Sequence, residues 1–186
     1  MERALDLAPV AFLVMGHRAD QAELSHSWQA VLALGGQPAL VSSSGGEVGL
    51  FRGPVPAGSM QPDVELPDAD AAGFAGLVLA GGQYRAAGAG GQPGAVVFVR
   101  AFVKAGLPVA AIGGAAGILI AAGGVAGRRL TSAPSLRTEL AAAGASWADE
   151  RVVVCEQRPG VLVTAQDRSD LPAFCRAFTR SFFCRP

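Results

Sequence analysis

No apolar run in this chain approaches the roughly 20 residues that a membrane span needs. Met1 to Pro9 carries no basic start followed by an apolar stretch, so no secretion signal is expected. Charge of one sign is missing too. Fifteen basic and fifteen acidic residues balance, which argues against nucleic acid or an anionic membrane as partner. Cysteine is scarce: Cys155, Cys175 and Cys184 are an odd number at spacings that fit neither a disulfide framework nor a zinc site. A reducing cytoplasm is the simplest setting for them. Histidine is scarcer still, and His17 and His26 share no metal-ligand spacing with another His or Cys. No metal and no cofactor are expected.

What is present is apolar and glycine-rich. Of 186 residues, 51% are hydrophobic and 25 are glycine. The length fits one domain over 1–186, with a core from about residue 9 to residue 184, and no linker or repeat divides it. Short apolar runs at Val10 to Met15, Pro38 to Ser42, Leu77 to Ala80 and Pro108 to Ile112 read as buried strands. Between the first two, Asp20 to Leu34 reads as a helix with Leu24, Trp28, Val31 and Leu32 on one face, ended by Gly35-Gly36. Gly45 to Met60 reads as a hairpin. Gly82 to Gly94 offers little to pack and is expected to be the most mobile internal segment.

A helix from Pro93 to Ala105 follows, with Val96, Val97, Phe98, Phe102 and Val103 as its apolar surface. Further helices are expected at Ala115 to Ala122 and from near Pro134 to Gly144. Strands are expected at Arg151 to Cys155 and Val161 to Ala165. The last helix, Asp170 to Phe183, shows a stripe of Leu171, Phe174, Cys175, Phe178 and Phe182. Strands alternating with helices predict an α/β fold, a three-layer α/β/α sandwich around a mostly parallel central sheet.

Three segments carry a resemblance. Val10-Ala-Phe-Leu-Val14 with Asp20-Gln-Ala-Glu-Leu24, then Leu77-Val-Leu-Ala-Gly-Gly82, then Leu130-Thr-Ser-Ala-Pro-Ser-Leu-Arg137 followed by Ala142 to Trp147 and Asp149 to Val154, resemble the ThiJ/PfpI family. The likeness runs from about Val10 to Phe182, and Asp170 to Cys175 also fits. It implies a flavodoxin-like, class I glutamine amidotransferase-like fold. It also implies company with intracellular proteases, general stress proteins and enzymes acting on reactive carbonyls. In that family the working residue is a cysteine on a strand–turn–helix elbow, within a string of the type A-I-C-H-G-P, with an acidic residue from the first loop beside it. A helix N-terminus and nearby charges lower such a thiol's pKa.

The matching string here is Ala111-Ile112-Gly113-Gly114-Ala115-Ala116. The resemblance therefore places Gly113 at the nucleophile and Gly114 at the neighbouring histidine. No Ser, Thr, Cys or His lies between Ala110 and Ala126 to substitute. Glycine accepts the sparsely populated backbone angles of an elbow without a Cβ clash. Asp20 takes the acidic position, with two readings: it faces the elbow, or it caps the first helix. His17 is either a loop residue over the site or a solvated side chain, and His26 lies on the polar side of the first helix. Cys155, Cys175 and Cys184 read as packing residues, and Cys184, near the tail, is the thiol to test for oxidation. Gly81, Gly82, Gly114 and Ala115 would supply backbone amides to an anion or oxyanion pocket.

The expected function is that of a nucleophile-less, non-catalytic family member with a stress-linked role or a small anionic or carbonyl ligand. The alternatives are a hydrolase of the protease or deglycase type using a non-cysteine site such as Asp20 with water, and a chaperone-like role through assembly. The resemblance implies a homodimer or a higher homo-oligomer.

Overall fold

The computed structural model describes residues 8–80, 93–157 and 159–183. From the N-terminal side its elements are β1 (Val10–Val14), β2 (Arg18–Asp20), α1 (Gln21–Leu32), β3 (Pro38–Ser42), β4 (Val48–Arg52), β5 (Val55–Met60), β6 (Val64–Glu65) and β7 (Gly76–Leu79). Then come α2 (Pro93–Ala105), β8 (Val109–Ile112), α3 (Gly117–Ala122), β9 (Arg129–Leu130), α4 (Arg137–Ala142), β10 (Ser146–Trp147), β11 (Val152–Cys155), β12 (Leu162–Ala165) and α5 (Leu171–Phe183).

The main sheet has the order β11-β12-β8-β7-β1-β3-β6. All its pairings are parallel except that of β11 with β12. Every residue of β1, β7, β8 and β12 is buried, as expected of strands covered on both faces. Alternate residues go to opposite layers. Val10, Phe12, Val14, Ala110, Ile112, Val163 and Ala165 meet Leu24, Val31, Phe174 and Phe178 of α1 and α5. Ala11, Leu13, Leu77, Leu79, Val109 and Ala111 meet Phe98, Phe102, Ile118, Leu119 and Leu140 of α2, α3 and α4. The second layer holds an aromatic group: Phe98 stands edge-on to both Phe102 and Phe74, with centroids 5.1 and 6.0 Å apart. The α/β/α sandwich is thus the fold, with a flavodoxin-like strand order in its centre.

Helix boundaries follow local chemistry. Asp20 caps α1, Gly35 follows it with φ +74°, and α2 begins at Pro93, where a missing amide costs no internal hydrogen bond. The turn after α2 crosses the β11–β12 connection in backbone contact. A Cβ on Gly106 would run into the Pro159 carbonyl, and one on Gly160 into the carbonyl of Gly106.

Some expectations need correcting. Leu32 is 45% exposed and Val97 62% exposed, so neither belongs to its helix's core face. Val97 falls outside the stripes Ala95–Phe98–Phe102 and Val96–Val99–Val103 that a period of 3.6 residues aligns on the sheet. Cys175 and Phe182 are half-buried flanks of the α5 stripe. The helix expected at Ala115 to Ala122 is a 3-10 turn over Gly113–Ala116 followed by six residues of α-helix. The helix near Pro134 likewise starts as a 3-10 turn, Pro134–Leu136. The hairpin β4–β5 is present, and β2 joins it in parallel to make a second, three-stranded sheet. Gly81, Gly82, most of the Gly82 to Gly94 segment and Cys184 lie outside the described residues.

Candidate functional site

In a doubly wound sheet ligands collect where the C-terminal ends of the parallel strands meet the following turns. At the end of β8, Ile112 is still extended (φ −117°, ψ 139°), and Gly113 then turns abruptly with φ +62°. The chain enters the 3-10 turn and α3 directly, and α3 stops at Gly123 in the left-handed conformation. Strand, left-handed residue and helix make an elbow. Gly113 is buried, and its carbonyl accepts a hydrogen bond from the Ala133 amide at 3.2 Å. A Cβ on Gly113 would lie 3.5 Å from the Gln166 carbonyl oxygen, an ordinary contact. The elbow therefore has room for a Cβ, and what opposes one is the backbone angle.

Asp20 stands at the junction of β2 and α1. One carboxylate oxygen accepts the amides of Ala22 and Glu23 at 3.0 and 3.1 Å, and the other pairs with Arg168. Arg168 opens the turn before α5, two residues beyond the Gln166 carbonyl that faces Gly113. Both carboxylate oxygens of Asp20 are thus engaged. That arrangement suits an anchored helix cap better than a free general base.

Residues 8–181 match the DJ-1/PfpI family. The chain belongs to it. Among DJ-1/PfpI relatives, general stress protein 18 of Bacillus subtilis is 35% identical over 118 residues, 61% of this chain and 64% of that one. Protein/nucleic acid deglycase 2 of Escherichia coli is 40% identical over 85 residues, 46% of this chain and 48% of that protein. These matches span between about half and just under two thirds of the relatives' own lengths. A ThiJ/PfpI domain protein from Brachyspira murdochii superposes with a TM-score of 0.83 at 18% identity, over 97% of this chain and 99% of that one, which shows the shared fold.

Of the other predicted residues, only some lie at this elbow. His17 is exposed in the loop before β2, with its carbonyl bonded to the Gly49 amide at 2.9 Å. His26 is exposed and bonds through Nδ1 to the Ala22 carbonyl at 2.8 Å. Gly114 and Ala115 follow Gly113 within the 3-10 turn, whereas Gly81 and Gly82 lie outside the described residues. Cys155 ends the edge strand β11, and Cys175 lies on α5 with its sulfur 3.9 Å from the Ser27 hydroxyl. Burial pushes the Cys175 thiol up from its ordinary value. No group of three His, Cys, Asp or Glu side chains arranged to hold a metal occurs among the described residues.

Sequence reasoning missed two features here. Arg168 reaches Asp20 across 148 residues of chain, which no local pattern signals. Thr131 and Ser132 are fully buried beside the elbow, and the Thr131 Oγ1 has no hydrogen-bond partner among the described residues. The Thr131 amide bonds to the Thr164 hydroxyl at 2.9 Å, and the Trp147 indole donates to the Ser132 hydroxyl at 3.0 Å.

Proposed function

We propose that this chain is a non-catalytic member of its family, with Gly113 in the nucleophile position and Gly114 in that of the adjacent histidine. Its elbow then serves as a binding site for a small anionic or carbonyl ligand. The observation that carries this is Gly113 itself: a buried residue with φ +62° at the end of a core strand, followed by Gly114, Ala115 and Ala116. None of these side chains can attack, accept or donate a proton. The left-handed angle marks the position as an elbow, and glycine holds it without strain. The amides of Gly114 and Ala115, with those of Gly81 and Gly82, would line the pocket, and His17 and Asp20 would lie near it. The homologous stress protein supports a stress-linked role. No described helix is long and apolar enough to cross a membrane. The reading further takes the protein to be cytoplasmic and to work as a homodimer or larger homo-oligomer, on family resemblance alone.

The second reading, a hydrolase or deglycase using a non-cysteine site, draws on the relative named a deglycase. Asp20 is its candidate base, and the cap and the Arg168 pair weigh against it. Methylglyoxal turnover and peptidase activity on pure protein separate the two. The first reading expects neither, together with saturable amide shifts at Gly114 and Ala115 when sulfate or acetate is titrated in. Turnover lost on changing Asp20→Asn would sink it.

A further inference from the structure

Thr131, Ser132 and Ala133 cross the C-terminal ends of β8 and β12 beside the elbow. The Thr131 amide bonds to the Thr164 hydroxyl at 2.9 Å, and Thr164 stands opposite Ala111 in the β12–β8 ladder. Two residues on from Ala111, the Gly113 carbonyl accepts the Ala133 amide at 3.2 Å. The segment is therefore tied to the elbow at both ends. The Ser132 hydroxyl donates to the Ala133 carbonyl at 2.9 Å. The Thr131 hydroxyl is different. Thr131 is 0% exposed, and its Oγ1 has no hydrogen-bond partner among the described residues. Burial strips a hydroxyl of water, so such groups are as a rule paired.

The outer side of the same segment carries a cation. The Ser132 hydroxyl accepts the Trp147 indole N–H at 3.0 Å, which fixes the half-buried ring. Arg137, the exposed first residue of α4, places its guanidinium over that ring, with Cζ 5.1 Å from the centroid. The ring holds the cation in place without consuming its N–H donors. The ion pairs among the described residues use Arg129, Arg151 and Arg168, so no described carboxylate pairs with Arg137.

We propose that Thr131 and Arg137 determine the specificity of the elbow, and that its ligand is a small molecule carrying a carboxylate or phosphate group. Arg137 takes the anionic group through its forked donors, which match either group. Thr131 offers a hydrogen bond to the inner end of the ligand. This rests on the elbow being a binding site, and it narrows the ligand: a neutral carbonyl compound lacks the group that Arg137 recognises.

The test is a titration of the full chain with propionate, the neutral isostere propionamide and inorganic phosphate, followed by amide and indole resonances near neutral pH. Trp28, packed on Phe12 with centroids 5.2 Å apart in the other layer, is the internal control. Propionate or phosphate should shift the Trp147 indole and the Gly114 and Ala115 amides at one midpoint, and propionamide should need about tenfold more. The anion with the lower midpoint identifies the group. Arg137→Gln should weaken the anion about tenfold. Thr131→Val should weaken it about threefold while the free protein melts no lower, because an unpaired hydroxyl is replaced by an apolar group of the same shape. Equal affinity for propionate and propionamide, or affinity unchanged by Arg137→Gln, would overturn the proposal and leave the elbow a binding site as long as Gly114 and Ala115 still shift. Unmoved Gly114 and Ala115 amides would overturn both. A Thr131→Val chain that binds the anion unchanged would overturn the role of Thr131.

Discussion

Replacing Gly113 with alanine asks residue 113 to keep φ +62° while carrying a Cβ. The steric part of the cost is small, because that Cβ would meet nothing nearer than the Gln166 carbonyl oxygen at 3.5 Å. What remains is the left-handed backbone penalty, about 1–2 kcal/mol for an L-residue. Reduced freedom of the unfolded chain returns up to about 1 kcal/mol of that. The net expectation is a loss of about 0.5–1.5 kcal/mol, or roughly 1–6 °C in melting temperature for a domain of this size. Gly73→Ala is the control. Gly73 is exposed, has no positive φ, and would place its Cβ more than 4 Å from any other group, so alanine there should be neutral or slightly stabilising. Urea melts of both variants, with unchanged m-values, measure the difference. If Gly113→Ala matches Gly73→Ala, the elbow is not left-handed in solution, and the structural basis for placing a lost nucleophile there goes with it. If it costs several kcal/mol instead, the space beside residue 113 is filled and the pocket reading fails.

Asp20→Ala should cost about 1 kcal/mol through loss of the α1 cap. Asp20→Asn keeps the cap and should cost no more than breaking the pair with the half-exposed Arg168, about 0–1 kcal/mol. A denaturation series in which Asn is as damaging as Ala would refute that division. Phe102→Ala empties a fully buried site against Phe98 and Phe74, and should cost about 3–5 kcal/mol, while Val97→Ala on the same helix stays within about 0.5 kcal/mol. The two thiols should pull stability in opposite directions with pH. The Cys175 contribution, from a raised folded pKa, is complete below its ordinary 9.0 and is lost as pH rises through the higher folded value. The Cys155 contribution, from a lowered folded pKa, is complete above 9.0 and is lost as pH falls through the folded value. Melting curves of Cys175→Ala and Cys155→Ala against pH check both signs, and parallel profiles would contradict them.

The long elements were legible because their signals are local. Pro38 to Ser42 and Pro93 to Ala105 coincide with β3 and α2, where proline and apolar runs mark the boundaries. The short strands β2, β6, β9 and β10 have two or three residues each and no period to detect. They exist because a neighbouring strand supplies partners. Side-chain exposure was readable only along helix stripes, so Leu32 and Val97, apolar but on the outward flanks, were misplaced. At the site, the strand, the turn and Gly113 were visible in the string Ala111 to Ala116. The long-range contacts near it and elsewhere were not. Arg168 against Asp20 and Arg128 against Cys155 join residues 148 and 27 apart, and no local pattern encodes such a meeting.

The crossing of Gly106 with Pro159 and Gly160 couples two distant stretches of chain into one heritable unit. Neither glycine can acquire a side chain first, since each would strike the other strand's carbonyl. A mutational library that varies one position at a time would score both as immutable and hide their dependence. Only variants that lengthen or re-route one loop would free the other, so the two loops should drift together among descendants of this sequence.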